Sequence, residues 1–202
     1  MFITLEGGEG VGKSTQAPRL ADALRGLGHK VLCTREPGGT PGADRLRGLL
    51  LEGQDWSPLA ETLLHFAARA EHVAWAIRPA LEAGQIVVCD RFIDSTMAYQ
   101  GYGAGVDPAA IRTLSGLIGL QPDLTLMLEL PPETAAARLA NRGMPPDRYE
   151  RKDPGFHARV AAGFRAIAGA EPDRCMRIVA EGEVEQVHAA IMAAVRARLP
   201  KG

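Results

Sequence analysis

The segment Gly7-Gly8-Glu9-Gly10-Val11-Gly12-Lys13-Ser14 carries the glycine spacing and the terminal Lys-Ser pair of a phosphate-binding loop, G-x-x-x-x-G-K-[ST]. Glycines allow backbone N–H groups to converge on phosphate oxygens with no side chain in the way. The apolar run Phe2-Ile3-Thr4-Leu5 reads as the strand before the loop, and Thr15–Leu27 as the helix after it. The N-terminus of that helix adds partial positive charge. Lys13 is then placed to reach β- and γ-phosphates, and the Ser14 hydroxyl to ligate Mg2+, with Thr15 beside them.

Three further motifs carry charge. Thr34-Arg35-Glu36-Pro37-Gly38-Gly39-Thr40 follows one apolar run, and Cys89-Asp90-Arg91-Phe92 closes another. Ser95-Thr96-Met97-Ala98-Tyr99-Gln100-Gly101 comes just after. A polar, proline-broken stretch from Asn141 to Asp153 adds Arg142, Arg148 and Arg151. It reads either as a solvated surface loop or as a lid that brings arginines to a phosphate site.

The elements that must position these residues alternate regularly. Strands are predicted at Phe2–Glu6, Lys30–Thr34, Ile86–Asp90, Leu124–Leu130 and Cys175–Ala180. Helices are predicted at Lys13–Leu27, Ala43–Leu51, Pro58–Ala83, Pro108–Gly119, Pro132–Arg142, Pro154–Ala168 and Val184–Leu199. Continuous apolar strands separated by helices imply a mostly parallel sheet covered on both faces, an α/β fold. Residues 1–202 form one domain, with the lid segment at about 141–153. Ligands of such sheets sit outside the carboxyl ends of the strands, so all the motifs face the phosphate loop.

Composition narrows the classes. A length of 202 residues suits one domain with a full core, and 46% hydrophobic with 23% charged residues is ordinary for a soluble protein. The formal net charge of −1 offers no global basic field for a nucleic-acid backbone, so any anion site is a local cluster. Cys33, Cys89 and Cys175 are odd in number and widely spaced, and read as reduced thiols in a reducing, cytoplasmic setting. No signal peptide and no membrane-spanning run is expected.

Taken together, the phosphate loop, Arg35-Glu36-Pro37-Gly38-Gly39-Thr40, Asp90-Arg91-Phe92 and Ala98-Tyr99-Gln100-Gly101, in this order and spacing, resemble the bacterial thymidylate kinases across nearly the whole chain. The resemblance implies a nucleoside monophosphate kinase fold with a five-stranded parallel sheet in the order 2-3-1-4-5. It implies transfer of the ATP γ-phosphoryl group to dTMP, giving dTDP and ADP for dTTP synthesis, with Mg2+, in a cytosolic homodimer. The chemistry fits. A phosphate monoester with a second pKa of about 6 is mostly dianionic at neutral pH and needs no general base. The obstacle is repulsion between two anions, so cations and positioning do the work.

The resemblance also implies roles. Asp90 holds Mg2+ through water, or caps the next turn. Arg91 bridges donor and acceptor phosphates, or forms an ion pair with Asp90 or Glu36. Arg47 grips the dTMP phosphate with bidentate geometry, while Arg45 is solvated. A carboxylate among phosphate-binding amides repels the ligand, so Glu9 needs another partner, and the resemblance gives it the acceptor's sugar hydroxyl. Glu36, Pro37 and Ser95 join the acceptor side. Phe66 is assigned to stack on thymine, with core packing as its other role and His65 as the alternative stacking residue. Arg69 bonds the base edge, Thr96 is a partner for thymine N3–H or O4, and Tyr99 and Gln100 crowd the sugar's 2′ position. The loop holds no arginine, so the chain is similar to the type that supplies it from the lid, with Arg148 assigned to the transferring phosphoryl group and Arg142 beside it. The helices Pro58–Ala83 and Pro108–Gly119 are candidate dimer elements, and a cis bond before Pro37 is compatible with the turn.

Two departures from the family pattern stand out. Gly101-Tyr102-Gly103-Ala104-Gly105 lacks an arginine at Ala104, and Met144-Pro145-Pro146 stiffens the lid. Competing readings are another nucleoside or nucleoside monophosphate kinase on the same scaffold, or a nucleotide-driven switch. The second is disfavoured by the lack of an Asn-Lys-x-Asp motif.

Overall fold

Alternate residues of each strand leave for opposite faces of the sheet, and here both faces are apolar. Ile3 and Leu5, Val88, and Leu124 and Leu126 pack on one side with Leu20, Leu24, Ile191 and Val195. Phe2, Val87 and Cys89 pack on the other with Val73, Ile77 and Phe92, and Met127 joins Phe156, Val160 and Phe164. This double burial explains why the strands read as unbroken apolar runs. The protein is described here as a computed structural model covering residues 1–52, 55–143, 145 and 147–199.

The strands are β1 (Phe2–Glu6), β2 (Val31–Arg35), β3 (Ile86–Asp90), β4 (Leu124–Glu129) and β5 (Cys175–Val179). They form one five-stranded sheet, ordered β2-β3-β1-β4-β5, with every neighbouring pair parallel. The order is the one expected. The register sets Leu5 opposite Asp90 and Arg35 opposite Asp90, so the carboxyl ends of β1, β2 and β3 finish level. The phosphate loop, Glu36 and Arg91 leave from this common rim.

The helices are α1 (Lys13–Gly26), α2 (Pro41–Leu51), α3 (Pro58–His72), α4 (Arg78–Glu82), α5 (Ile93–Thr96), α6 (Pro108–Ile118), α7 (Pro132–Asn141), α8 (Pro154–Ala170) and α9 (Val184–Arg196). Helix α2 begins at Pro41, earlier than expected, because the Thr40 side chain accepts from Ala43 N at 3.3 Å and proline suits a first turn. The single helix expected over Pro58–Ala83 is instead α3, a π-helical turn at Val73–Ile77, and α4. Pro79 explains the break: it has no N–H for the Trp75 carbonyl, and its ring would crowd that carbonyl. Residues Ile93–Gly103, of which Ser95–Gly101 was expected only as a motif, are helical too. They form α5 and a second π-helical turn at Met97–Gly103.

Candidate active site

A cavity of about 720 Å³ opens at the carboxyl rim of the sheet, walled by the phosphate loop, the ends of β2 and β3, α3, α7 and the start of α9 with Gly182 and Glu183 before it. On the loop side, two glycines are demanded by sterics. A Cβ on Gly7 would run into the Leu128 carbonyl, and one on Gly10 would lie 2.7 Å from the Ala135 carbonyl. Gly12, at φ 96, caps α1. Lys13 is buried, and its Nζ donates to the Gly7 and Gly8 carbonyls at 3.0 and 2.6 Å. Burial, with Arg91 nearby, brings its pKa down to about 8 against the pull of Glu9 and Asp90. Ser14 and Thr15 line the same wall.

Arg91 stands in the middle. Its backbone has a left-handed φ of 69, and its guanidinium lies over the Tyr99 ring at 4.9 Å. It donates to the Gly7 carbonyl at 3.1 Å, Ser95 Oγ at 3.0 Å, Glu9 Oε1 at 2.7 Å and Tyr99 Oη at 3.2 Å. The Tyr99 hydroxyl also donates to Glu9, at 2.7 Å. This answers the puzzle of a carboxylate in a phosphate loop. Burial favours the neutral acid, but Arg91 and Lys13 overcome it and hold Glu9 down to about 2. Arg91 therefore pairs with Glu9, not with Asp90 or Glu36. Beneath it, Glu6 accepts from Phe92 N at 2.7 Å and Ser95 Oγ at 2.5 Å. Burial, with Asp94 adding to it, lifts Glu6 to about 7.

The far end is built on a second buried carboxylate. Glu36 Oε2 accepts from Arg69 Nε at 2.7 Å. Arg69 Nη2 donates to the Phe92 carbonyl and to Thr96 Oγ1, both at 3.1 Å. Arg69 Nη1 is buried with no partner, and the residue lines the cavity. The bond before Pro37 is cis, and Arg47 Nη1 donates to the Pro37 carbonyl at 2.8 Å at the cavity edge. Arg45 is exposed. Gln100 lines the cavity and donates to Glu61 at 2.8 Å.

Phe66 requires a correction. It is buried against Val106 and Ile111 and does not line the cavity, whereas His65 does. One residue along a helix turns the side chain by about 100°, so only one of the two faces the site. Phe66 instead lies under the Arg69 guanidinium at 4.9 Å. The His65 ring bonds Tyr149 Oη at 2.8 Å. Burial, with Arg69 nearby, presses its pKa to about 3, so it is neutral.

Arg148 is a second correction. It does not line the cavity. Its Nη2 lies 2.6 Å from Glu61 Oε2 and its Nη1 donates to the Leu50 carbonyl, so the guanidinium is spent on α2 and α3. Arg142 does line the cavity, held by Glu150 at 2.7 Å. The stiffening expected of Met144-Pro145-Pro146 falls partly on Met144 and Pro146, which lie outside the described residues. Ala104 is exposed.

Arg138 escaped the sequence reading. It lines the cavity beside Gly12 and donates to the Ala180 and Gly182 carbonyls at 3.1 and 3.3 Å. Its signal was the i, i+4 spacing to Arg142, the C-cap of α7. Glu6, Glu61 and His72 gave no local signal.

The donor set fits Mg2+. Ser14 and Asp90 face the same cavity, and Asp90 Oδ1 is buried without a partner. Among the described residues no group of three or more His, Cys, Asp and Glu is arranged to hold a metal. Cys33, Cys89 and Cys175 are free thiols, and burial raises the pKa of each. No helix among the described residues is long and apolar enough to cross a membrane.

The chain is similar to known proteins over nearly its whole length. The family model described as thymidylate kinase matches residues 5–191. The thymidylate kinase of Gluconobacter oxydans is 59% identical, covering 98% of this chain and 95% of its own length. That of Rhizorhabdus wittichii is 54% identical, covering 98% of each. The crystal structure of the Ehrlichia chaffeensis thymidylate kinase superposes with a TM-score of 0.80 at 36% identity, over 96% of this chain and 98% of that one.

Proposed function

Because the chain belongs to the thymidylate kinase family and is thus a phosphotransferase that moves the ATP γ-phosphoryl group to dTMP, we propose that its own residues divide that task as follows. The ATP phosphates lie in the loop Gly7–Thr15, with Lys13 exchanging its carbonyl partners for phosphate oxygens. The donor base lies between Arg138 and the N-terminal end of α9 with Gly182 and Glu183 before it, and Arg142 adds charge from the lid side. Ser14 and Asp90 would hold Mg2+, which would supply positive charge against the charge developing on the phosphates.

The dTMP phosphate lies between Arg47 and Arg91. Arg91 faces both phosphates and offsets their repulsion, which is the barrier when no proton need be removed. Ser95 and Glu9 keep Arg91 aimed, and Glu9, ionised down to about pH 2, also accepts a sugar hydroxyl. Tyr99 and Gln100 close the 2′ side. The thymine lies on the neutral His65 ring, with Pro37 and Thr96 at its margin, and takes a hydrogen bond from Arg69 Nη1. One observation carries this reading: a single cavity runs from the phosphate loop past Arg91 to an unpartnered, buried guanidinium N–H.

A homodimer in the cytoplasm belongs to the same proposal. Leu59 and Leu63 on α3, Trp75 on the π-helical turn and Leu117 on α6 are large apolar side chains left 48–79% exposed. They lie on the two helical stretches expected to form the interface, and free buried thiols suit a reducing compartment.

The test is a coupled ADP-release assay with ATP and Mg2+ against dTMP, dUMP, CMP, AMP, GMP and thymidine. Turnover with dTMP well above all others is expected. A different preferred acceptor would leave the phosphate machinery standing and overturn the base-end assignments. ATP hydrolysis indifferent to acceptor would overturn the whole reading.

A further inference from the structure

His72 does not line the cavity, yet it is fully buried behind it, and its two ring nitrogens are both engaged. Nδ1 lies 3.0 Å from Glu36 Oε1, and Nε2 lies 2.7 Å from Thr34 Oγ1. A carboxylate only accepts, so Nδ1 carries the proton. The other oxygen of Glu36 takes the Arg69 Nε–H at 2.7 Å. The order is thus Thr34, His72, Glu36, Arg69, and at its end stands Nη1, the one nitrogen of the Arg69 guanidinium with no partner.

The guanidinium has little freedom left. It is planar, so fixing Nε on Glu36 and Nη2 on Phe92 O and Thr96 Oγ1 also fixes where the Nη1–H bonds point. Phe66 and Phe92 cover it, with ring centroids 4.9 and 5.1 Å away. The Gly38-Gly39 turn is shaped around the imidazole: a Cβ on Gly39 would lie 2.5 Å from both His72 Nε2 and Thr34 Oγ1.

We propose that His72 is a positioning residue that sets acceptor-base selection, by holding Glu36 and through it the free N–H of Arg69. The proposal rests on the acceptor reading given above. Thymine offers a carbonyl oxygen at the edge where cytosine offers an amino group. A donor that cannot turn away accepts the first and opposes the second. Without the His72 N–H, Glu36 loses one of its two anchors, and Arg69 gains room to swing.

Two replacements separate this role from plain packing. The side-chain amide of Asn occupies the place of Nδ1, and that of Gln the place of Nε2. His72→Gln is expected to raise KM for dTMP about tenfold, and to lower the preference for dTMP over dCMP about as much, with kcat within about threefold. His72→Asn is expected to keep KM and preference within about twofold of wild type. Equal effects of both, or a lower melting temperature with KM and preference unchanged, would overturn the proposal. Nitrogen-15 spectra of imidazole-labelled wild-type enzyme add an arm that needs no variant. A protonated Nδ1 whose signal moves on dTMP addition supports the coupling, and a signal indifferent to dTMP sinks it. Wild-type enzyme that turns over no dTMP would overturn the acceptor reading and this inference together. Normal dTMP turnover with an unchanged His72→Gln variant would overturn this inference alone.

Discussion

Arg148 Nη2 sits 2.6 Å from Glu61 Oε2, and each side chain is only 9% exposed. Glu61 Oε1 accepts from the neighbouring Tyr149 hydroxyl at 3.0 Å and from Gln100 at 2.8 Å. One carboxylate on α3 therefore fastens two consecutive residues of the segment that leads into α8. Tyr149 passes the contact on to His65 and stands edge-on to Tyr99 at 5.5 Å. The position of this segment and the shape of the acceptor end are thus physically joined.

If Arg148 is an anchor, Glu61→Gln leaves its buried guanidinium with only the exposed Asp55 carboxylate, 3.4 Å from Nε, as counter-charge, which costs about 3 kcal/mol. Chemical unfolding is expected to show that loss. Arg148→Ala is expected to lower stability as well, with kcat changed less than about tenfold. A larger kcat loss at unchanged stability would return Arg148 to the transferring phosphoryl group.

Arg91→Ala is expected to cut kcat by about a thousandfold, the low end for arginines that neutralise transferring phosphoryl groups. It also strips Glu9 of its main counter-charge, so the pKa of Glu9 rises from about 2 and burial then favours the neutral acid. Single-turnover kinetics separate this chemical loss from weaker binding. A loss below about tenfold would assign Arg91 to structure alone.

Asp90→Asn is expected to raise the Mg2+ concentration needed for half-maximal rate about tenfold, because a carboxylate ligand becomes a neutral amide. dTMP binding measured without ATP is expected to stay put. An unchanged Mg2+ requirement would remove Asp90 from the ion's surroundings.

Glu6 gives a pH signature. Its pKa is about 7 in the folded protein, raised by burial and by Asp94 from an ordinary value of 4.5. Between those values the folded protein holds a proton that the unfolded chain has released. Folding stability from this group is therefore fully present at low pH, falls as pH climbs toward about 7, and is flat above. Glu6→Gln keeps an acceptor for Phe92 N but cannot ionise. Its stability relative to wild type is expected to improve steadily from about pH 5 to about pH 7 in urea titrations. A pH-independent difference would contradict the assignment.

Much of this molecule is written locally in its chain. The phosphate loop is one contiguous segment whose glycines and Lys-Ser pair act through backbone geometry, so Gly7–Thr15 was legible as it stands. The strand runs were legible because both faces of the sheet are covered, and a parallel sheet followed from the alternation of strands and helices, while its strand order came from the family resemblance. Sequence alone thus determined the fold class, the rim on which the cavity lies and that Lys13, Asp90 and Arg91 stand in its wall. What the tertiary structure decided depends on distant partners. Glu36 meets Arg69 across 33 positions, Glu61 meets Tyr149 across 88, and Arg91 meets Glu9 across 82. No periodicity announces such pairs. Whether His65 or Phe66 faces the cavity turns on a rotation of about 100° about α3, which the packing of Val106 and Ile111 on Phe66 fixes. The same holds for Arg148, whose charge was visible in the sequence but whose counter-charge was not.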